Sequence, residues 1–131
     1  MRLLLDTHVA IRELVNDPRL SDVARRRIRD PDATVFVSVV SLWEIAIKYA
    51  KRRGRPNDMP VSANQALELF LRAGYEVLNV TAQHVLTVGD LPALHADPFD
   101  RMLVAQSRSE PLRLLTSDGL VVAYGEGIEL I

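Results

Sequence analysis

The 131-residue chain is 48% hydrophobic and 25% charged, which excludes an intrinsically disordered protein and suits a single domain over residues 1–131. The absence of cysteine excludes a disulfide framework, a thiol nucleophile and thiolate metal sites. The net charge of −1 does not by itself indicate binding to nucleic acid. The sequence shows no signal peptide and no run of about 18 apolar residues, so we expect a cytoplasmic protein.

Apolar and β-branched runs predict the strands, and apolar residues at helical spacing predict the helices. In chain order we expect a strand over 2–5, helices over 7–15 and 21–29, a strand over 34–40, helices over 41–53 and 61–74, a strand over 75–80, a helix over 81–91, a helix that begins at Pro98, a strand over 112–117, a brief helix after Asp118 and a strand over 128–131. Strands that alternate with helices predict an α/β fold with three layers: a Rossmann-like parallel sheet of about five short strands, flanked by helices.

Four acids occur at similar points of this predicted fold. Asp6 and Asp118 directly follow the first and fourth strands, Glu44 lies near the start of the helix after the second strand, and Asp100 lies in the first turn of the Pro98 helix. Ligand sites in such folds lie beyond the carboxyl ends of the strands. We therefore expect the four side chains to converge there.

A cluster of carboxylates predicts a metal-dependent chemistry. Two like charges about 4 Å apart repel by roughly 4 kcal/mol at an effective dielectric constant near 20, so such groups take up protons or bind cations. Oxygen ligands favour Mg²⁺ or Mn²⁺, and one or two such ions activate water and stabilise charge on a phosphodiester. The sequence thus favours phosphodiester hydrolysis, which needs no thiol, serine or histidine nucleophile.

Each acid also has a purely structural interpretation, and no single one decides the matter. The alternatives are a helix cap for Asp6, a surface ion pair with Lys48 for Glu44, an N-cap for Asp97 in preference to direct metal ligation, a capping-box partner for Asp100 and a turn for Asp118.

Residues of other types lie near these acids. Hydroxyl groups next to them could orient carboxylates or waters, or cap helices and turns: Thr7, Ser41, Thr116 and Ser117. Basic residues are weaker candidates for RNA contacts, with solvated helix faces as the alternative: Lys48, Lys51, Arg52, Arg53 and Arg101. His8, His84 and His95 show no ligand spacing, and we expect Trp43 and Phe99 to pack in the protein, not to stack on bases.

Four segments in this order carry a resemblance to a known family: "LLLDTHVAI", "VSVVSLWEIAIK", "HADPFDRMLVAQS" and "LLTSDGLVVAYG". The chain resembles the PIN-domain ribonucleases, specifically the VapC-type toxins of toxin–antitoxin pairs, from residue 3 to about residue 125. The resemblance implies an endoribonuclease that needs Mg²⁺ or Mn²⁺ and cleaves tRNA or rRNA. It implies catalytic metal ligands at Asp6, Glu44, Asp100 and Asp118, with Asp97 as an outer or auxiliary ligand.

The same resemblance implies a homodimer and a cognate antitoxin that blocks the site. The chain departs from the family at "RELVND", where Arg12 and Glu13 replace an apolar stretch. Two other functions stay open from the sequence. One is a non-catalytic or weakly active PIN-like interaction module. The other is an aspartate-based phosphotransfer domain with Asp6 as the nucleophile, although His8 occupies the place where that chemistry requires a second acid.

Overall fold

Five parallel strands form the centre of the computed structural model, which describes residues 1–131. The strand order is β3-β2-β1-β4-β5, and all four pairings are parallel. This confirms the predicted α/β fold and its five strands: β1 Arg2–Leu5, β2 Thr34–Ser38, β3 Glu76–Leu78, β4 Arg113–Thr116 and β5 Ile128–Leu130.

Seven helices flank the sheet, and each begins after a residue whose side chain accepts a backbone N–H bond, as expected of N-caps. The prediction was wrong at Val39 and Val40, which belong to a helix because the Ser38 hydroxyl accepts from the Val40 amide at 3.0 Å and ends the strand. The helices are α1 Thr7–Leu14, α2 Asp22–Ile28, α3 Val39–Ala50, α4 Ala63–Arg72, α5 Ala82–Asp90, α6 Pro98–Ser109 and α7 Gly119–Val122.

The sheet is buried on both faces, because successive side chains of a strand point to opposite sides. Leu3 and Leu5 belong to one core cluster, with buried residues of α1, α2 and α4. Leu4 belongs to the second cluster, with buried residues of α6 and α7. Full burial of one such leucine contributes about 2 kcal/mol, so β1 is held firmly in the centre of the molecule.

The order of the strands creates a crevice at one end of the sheet. From β1 the chain continues to β2 and β3 on one side, whereas β4 and β5 lie on the other side. A crevice therefore opens between the carboxyl ends of β1 and β4, the place where ligands bind in open parallel sheets. None of the helices combines the length and apolarity that crossing a bilayer requires.

Candidate metal-binding active site

Asp6 leaves β1 directly into this crevice and is only 3% exposed. Its Oδ1 accepts the amide N–H of Val9 at 2.8 Å, so Asp6 caps α1 as one alternative predicted. Its Oδ2 accepts the hydroxyl of Thr116 from the end of β4. Burial raises the pKa of Asp6, against the opposing effect of these hydrogen bonds. Asp6 is therefore both the cap of α1 and a buried acid that connects the carboxyl ends of β1 and β4.

Glu44 is likewise 3% exposed, two turns into α3. Its Oε2 pairs with Nζ of Lys48, one helical turn further on, so the predicted i,i+4 ion pair forms. The pair does not lie on the surface, because the glutamate is buried and only the lysine is partly exposed. Oε1 is buried and has no hydrogen-bond partner. Buried polar atoms are nearly always partnered, so this oxygen is a candidate cation ligand.

Asp100 and Asp118 both contact the imidazole of the same histidine, His95. Nε2 of His95 lies 3.0 Å from Oδ2 of Asp100 and 3.1 Å from Oδ2 of Asp118. The three side chains present ligand atoms that all lie within 4.8 Å of one another. The backbone N–H of His95 donates to the hydroxyl of Tyr124 at 3.0 Å, which fixes the loop that carries the imidazole.

The electrostatics of Asp100 link these groups into one cluster. Burial raises the pKa of Asp100 to about 7, with further contributions from the negative charges of Asp97, Asp6 and Glu44, whereas His95 lowers it. Asp97, Asp6 and Glu44 therefore lie close enough to Asp100 to destabilise its charge, and Asp118 joins them through its contact with His95. We call this set the acid cluster: Asp6, Glu44, Asp97, Asp100 and Asp118.

The acid cluster fits a divalent cation. Glu44 offers a buried oxygen without a partner, and Asp100 would lose its like-charge repulsion if a cation lay among the carboxylates. Carboxylate oxygens are the ligands preferred by Mg²⁺ and Mn²⁺. The donor set and the charge both match such an ion, so an ion here is chemically favourable.

Comparison with known families identifies the fold at this point. The sequence model of the PIN domain matches residues 3–124. The chain belongs to the PIN-domain family. The family predicted from the four sequence segments is therefore confirmed.

Solved structures with the same fold span nearly the whole PIN domain at low identity. They include VapBC2 from Rickettsia felis bound to a promoter DNA fragment, at 16% identity and a TM-score of 0.73, covering 100% of this chain and 98% of that one. DNA-bound VapBC from Salmonella typhimurium is 20% identical, with a TM-score of 0.70 and coverage of 100% and 97%. Mycobacterium tuberculosis VapC20, a Sarcin-Ricin loop cleaving toxin, is 22% identical, with a TM-score of 0.65 and coverage of 94% and 95%. No curated protein sequence matches the chain significantly.

Asp97 serves this PIN domain as the N-cap of α6, the role preferred from the sequence. Its Oδ1 accepts the amides of Phe99 at 2.8 Å and Asp100 at 3.2 Å. Asp100 returns no side-chain bond to the Asp97 amide, so the capping box proposed as its alternative role does not form. Asp118 caps α7 through Oδ1, which accepts the Leu120 amide at 2.9 Å and leaves Oδ2 directed to His95.

The predicted hydroxyl groups make different contacts. The Thr116 hydroxyl donates to Asp6 and accepts the amide of Asp118 at 3.0 Å, so it connects two acids of the cluster. Thr7 donates to Ser41 at 2.9 Å, and both are buried. Ser117 is partly exposed, and its backbone N–H lowers the pKa of Asp6.

The basic residues lie in four different settings. Lys48 is paired with Glu44, whereas Lys51 and Arg53 are exposed. The Arg52 guanidinium stacks on the Tyr49 ring at 3.8 Å. The Arg101 guanidinium donates to the carbonyls of Val88 in α5 and Pro92 in the loop after it, and to the Tyr124 hydroxyl, so it fixes that loop.

The aromatic and histidine side chains differ partly from expectation. Trp43 contacts the Phe99 ring edge-on at 5.2 Å, as predicted for packing, yet it remains 62% exposed. His84 is buried and bonds Glu110 at 2.7 Å, away from the acid cluster. His95 contacts two acids of the cluster, a role that was not predicted because the three histidines show no ligand spacing. Its position five residues before Asp100, in "HADPFD", was the available signal.

Proposed function

We propose that this PIN domain is an endoribonuclease that depends on Mg²⁺ or Mn²⁺ and hydrolyses RNA phosphodiester bonds. The observation that carries the proposal is the acid cluster, in which the buried Oε1 of Glu44 has no partner and burial with neighbouring acids raises the pKa of Asp100 to about 7. Such an arrangement lowers the stability of the folded protein unless a cation binds. This argues against a role confined to protein interaction.

Four residues would hold the cation: Asp6, Glu44, Asp100 and Asp118. A divalent ion held there would make a water molecule more acidic and offset the negative charge of a phosphodiester. Asp97 remains the cap of α6 and adds negative charge near the site as an outer residue. The carboxyl oxygens that are not used for capping are those available to the cation.

The chain's own residues orient these ligands. The Thr116 hydroxyl holds Oδ2 of Asp6, and Nε2 of His95 sets the separation of Asp100 and Asp118. Lys48 balances part of the charge of Glu44 at the rim. Residues that orient metal ligands in this way commonly affect metal affinity and activity about 10- to 100-fold.

We further propose that the protein is the toxin of a toxin–antitoxin pair, inhibited by a cognate antitoxin, and that it cleaves a structured RNA such as tRNA or rRNA. The support is the similarity over nearly the full chain to VapBC complexes and to a Sarcin-Ricin loop cleaving toxin. The intact acid cluster is the support from the chain itself.

A homodimer is part of this proposal and has its own structural support. On α3 an exposed apolar stripe at helical spacing comprises Trp43, Ala46 and Ala50, with Ile47 partly exposed beside it. Val85 and Leu86 form a second apolar patch on α5, at 53% and 65% exposure. Apolar stripes of this kind on a solvent-facing helix commonly mark protein interfaces.

The direct test is cleavage of total cellular RNA by the purified protein. We expect new 5′ ends with Mg²⁺ or Mn²⁺ and none with EDTA. Glu44→Gln keeps the size of the side chain but removes its charge, so it should abolish cleavage while the circular-dichroism spectrum stays that of the wild type. Cleavage by this variant at the wild-type rate would reject the assignment of the site.

A further inference from the structure

A groove of about 570 Å³ lies beside the acid cluster, between α1, the end of α3 and the loop 56–60. Thirteen residues line the groove, and only three of them are hydrophobic. So few hydrophobic side chains distinguish the groove from a typical small-molecule pocket, which hydrophobic and aromatic side chains line. The groove therefore suits an extended charged ligand.

Cations predominate in the groove. Arg12, Arg19, Lys48 and Lys51 line it, against the two acids Asp17 and Asp58. Both acids are engaged within the protein. Asp17 pairs with Arg19 at 2.7 Å, and Asp58 accepts the amides of Arg53 and Arg55 at 2.9 and 2.8 Å.

Arg12 and Lys51, in contrast, take part in no ion pair of the chain. Lys51 is exposed directly after α3, and Arg12 lies partly exposed in α1. Four cations against two acids leave the lining of the groove with a positive potential, which attracts polyanions.

Two residues join the groove to the acid cluster. His8 lines the groove, and its charge lowers the pKa of Asp6, so it lies close to that carboxylate. Lys48 also lines the groove and pairs with Glu44. The positive groove is therefore continuous with the negatively charged site.

We infer that this groove binds the phosphate backbone of the RNA strand next to the bond that is cleaved, with Arg12 and Lys51 as the phosphate contacts. The inference rests on the proposed nuclease function. A carboxylate cluster repels RNA, and cations beside it supply the attraction by displacing counterions from the phosphates. Such contacts position the strand without reading its sequence.

The test measures RNA binding separately from cleavage. A labelled single-stranded RNA of mixed sequence, about 12 nucleotides long, matches the site sizes of single-strand binding folds. Its Kd is measured by fluorescence anisotropy in EDTA over a series of salt concentrations. The variants are Arg12→Ala, Lys51→Ala and their combination. Arg26→Ala is the matched control, because Arg26 is exposed on α2, forms no ion pair and does not line the groove.

We expect the double variant to weaken RNA binding about tenfold and to reduce the slope of log K against log salt by about 1.4, or about 0.7 for each lost contact. In cleavage assays with metal, KM should rise while kcat stays within about twofold, because the contacts act on binding. Asn57→Lys adds a cation to the lining of the groove, so it should tighten binding. The control variant should match the wild type.

Wild-type affinity and salt slope in the double variant, together with no gain in Asn57→Lys, would overturn the inference. Unchanged RNA binding with lost antitoxin binding would also overturn it and would make the groove a protein-docking site. If the wild type itself neither binds nor cuts RNA, the proposed nuclease function fails instead, so the two failures are distinguishable.

Discussion

The hydroxyl of Thr116 donates a hydrogen bond to Oδ2 of Asp6, although 110 positions separate the two residues in the chain. The contact exists because β1 and β4 are parallel neighbours, with Leu5 in register with Leu115, so that their carboxyl ends meet. The strand pairing that builds the core thereby also orients the first acid of the site.

Replacing Thr116 by valine tests this orientation, because valine keeps the shape and removes the hydroxyl. The Asp6 carboxylate is buried, so loss of a donor should cost about 1–3 kcal/mol of stability. Mn²⁺ affinity, measured by calorimetry, should fall about tenfold. Thr116→Ser keeps the hydroxyl and should retain most of the affinity. Equal Mn²⁺ affinity in the valine variant and the wild type would contradict the role.

Replacing Asp100 by asparagine should separate stability from activity. The pKa of Asp100 is raised from 3.8 to about 7, mainly by burial, so the folded state holds this proton more tightly than the unfolded state. The contribution of this group to stability is therefore full below pH 4 and is lost as the pH rises towards 7. At pH 8 the metal-free variant should be more stable than the wild type by about 1–2 kcal/mol, after allowance for solvent screening.

Thermal melting in EDTA at several pH values measures this difference, which should shrink towards pH 4. Mn²⁺ should raise the melting temperature of the wild type and leave the Asp100→Asn variant nearly unchanged. The variant should cut no RNA. A metal-free variant that melts below the wild type at pH 8 would show that Asp100 is not strained by its neighbours.

His95 should matter through its position between Asp100 and Asp118. His95→Ala removes the group that contacts both carboxylates at 3.0 and 3.1 Å, so they should repel more strongly and bind Mn²⁺ about tenfold more weakly. His95→Gln retains a hydrogen-bond donor and should lose less. Calorimetric titration of the two variants makes the comparison. If the alanine and glutamine variants bind Mn²⁺ with the same affinity, the hydrogen bonds of His95 do not position the two acids.

Tyr75 offers a test of the fold that is independent of the site. The ring stacks on Phe70 with centroids 5.9 Å apart, and burial raises the pKa of its phenol from 10.0 to about 12. The neutral phenol is favoured in the folded state, so this stabilisation is full below pH 10 and is lost as the pH rises towards 12. An absorbance titration at alkaline pH should show one tyrosine titrating near pH 12, and Tyr75→Phe should remove that phase. A residual phase near pH 12 in the variant would contradict the assignment.

Much of the fold could be predicted from local patterns in the sequence. Apolar runs marked the five strands, and the Ser, Thr and Asp caps marked the starts of the helices. The end of β2 was misplaced because Val39 and Val40 have high strand propensity, whereas the Ser38 hydroxyl turns the chain into a helix. Here a single side-chain bond outweighs the propensity of two residues.

The candidate site was less predictable than the fold. Asp6 and Asp118 could be placed because each directly follows a strand, and their convergence then depends only on parallel pairing. The proximity of His95 to Asp100 in the sequence was visible, but its contact with both acids was not, because its loop is fixed by Tyr124, 29 positions away. The basic groove could not be predicted from the sequence either, because it forms only when the loop 56–60 lies against α1.

Anomalous diffraction from crystals soaked in Mn²⁺ shows whether a cation binds among these acids. We expect a strong anomalous peak in the crevice between the carboxyl ends of β1 and β4, in contact with oxygens of Asp6 and Asp100, and its loss in Asp100→Asn crystals. A peak only elsewhere on the protein, or none at a concentration that supports RNA cleavage, would show that the acid cluster is not the metal site.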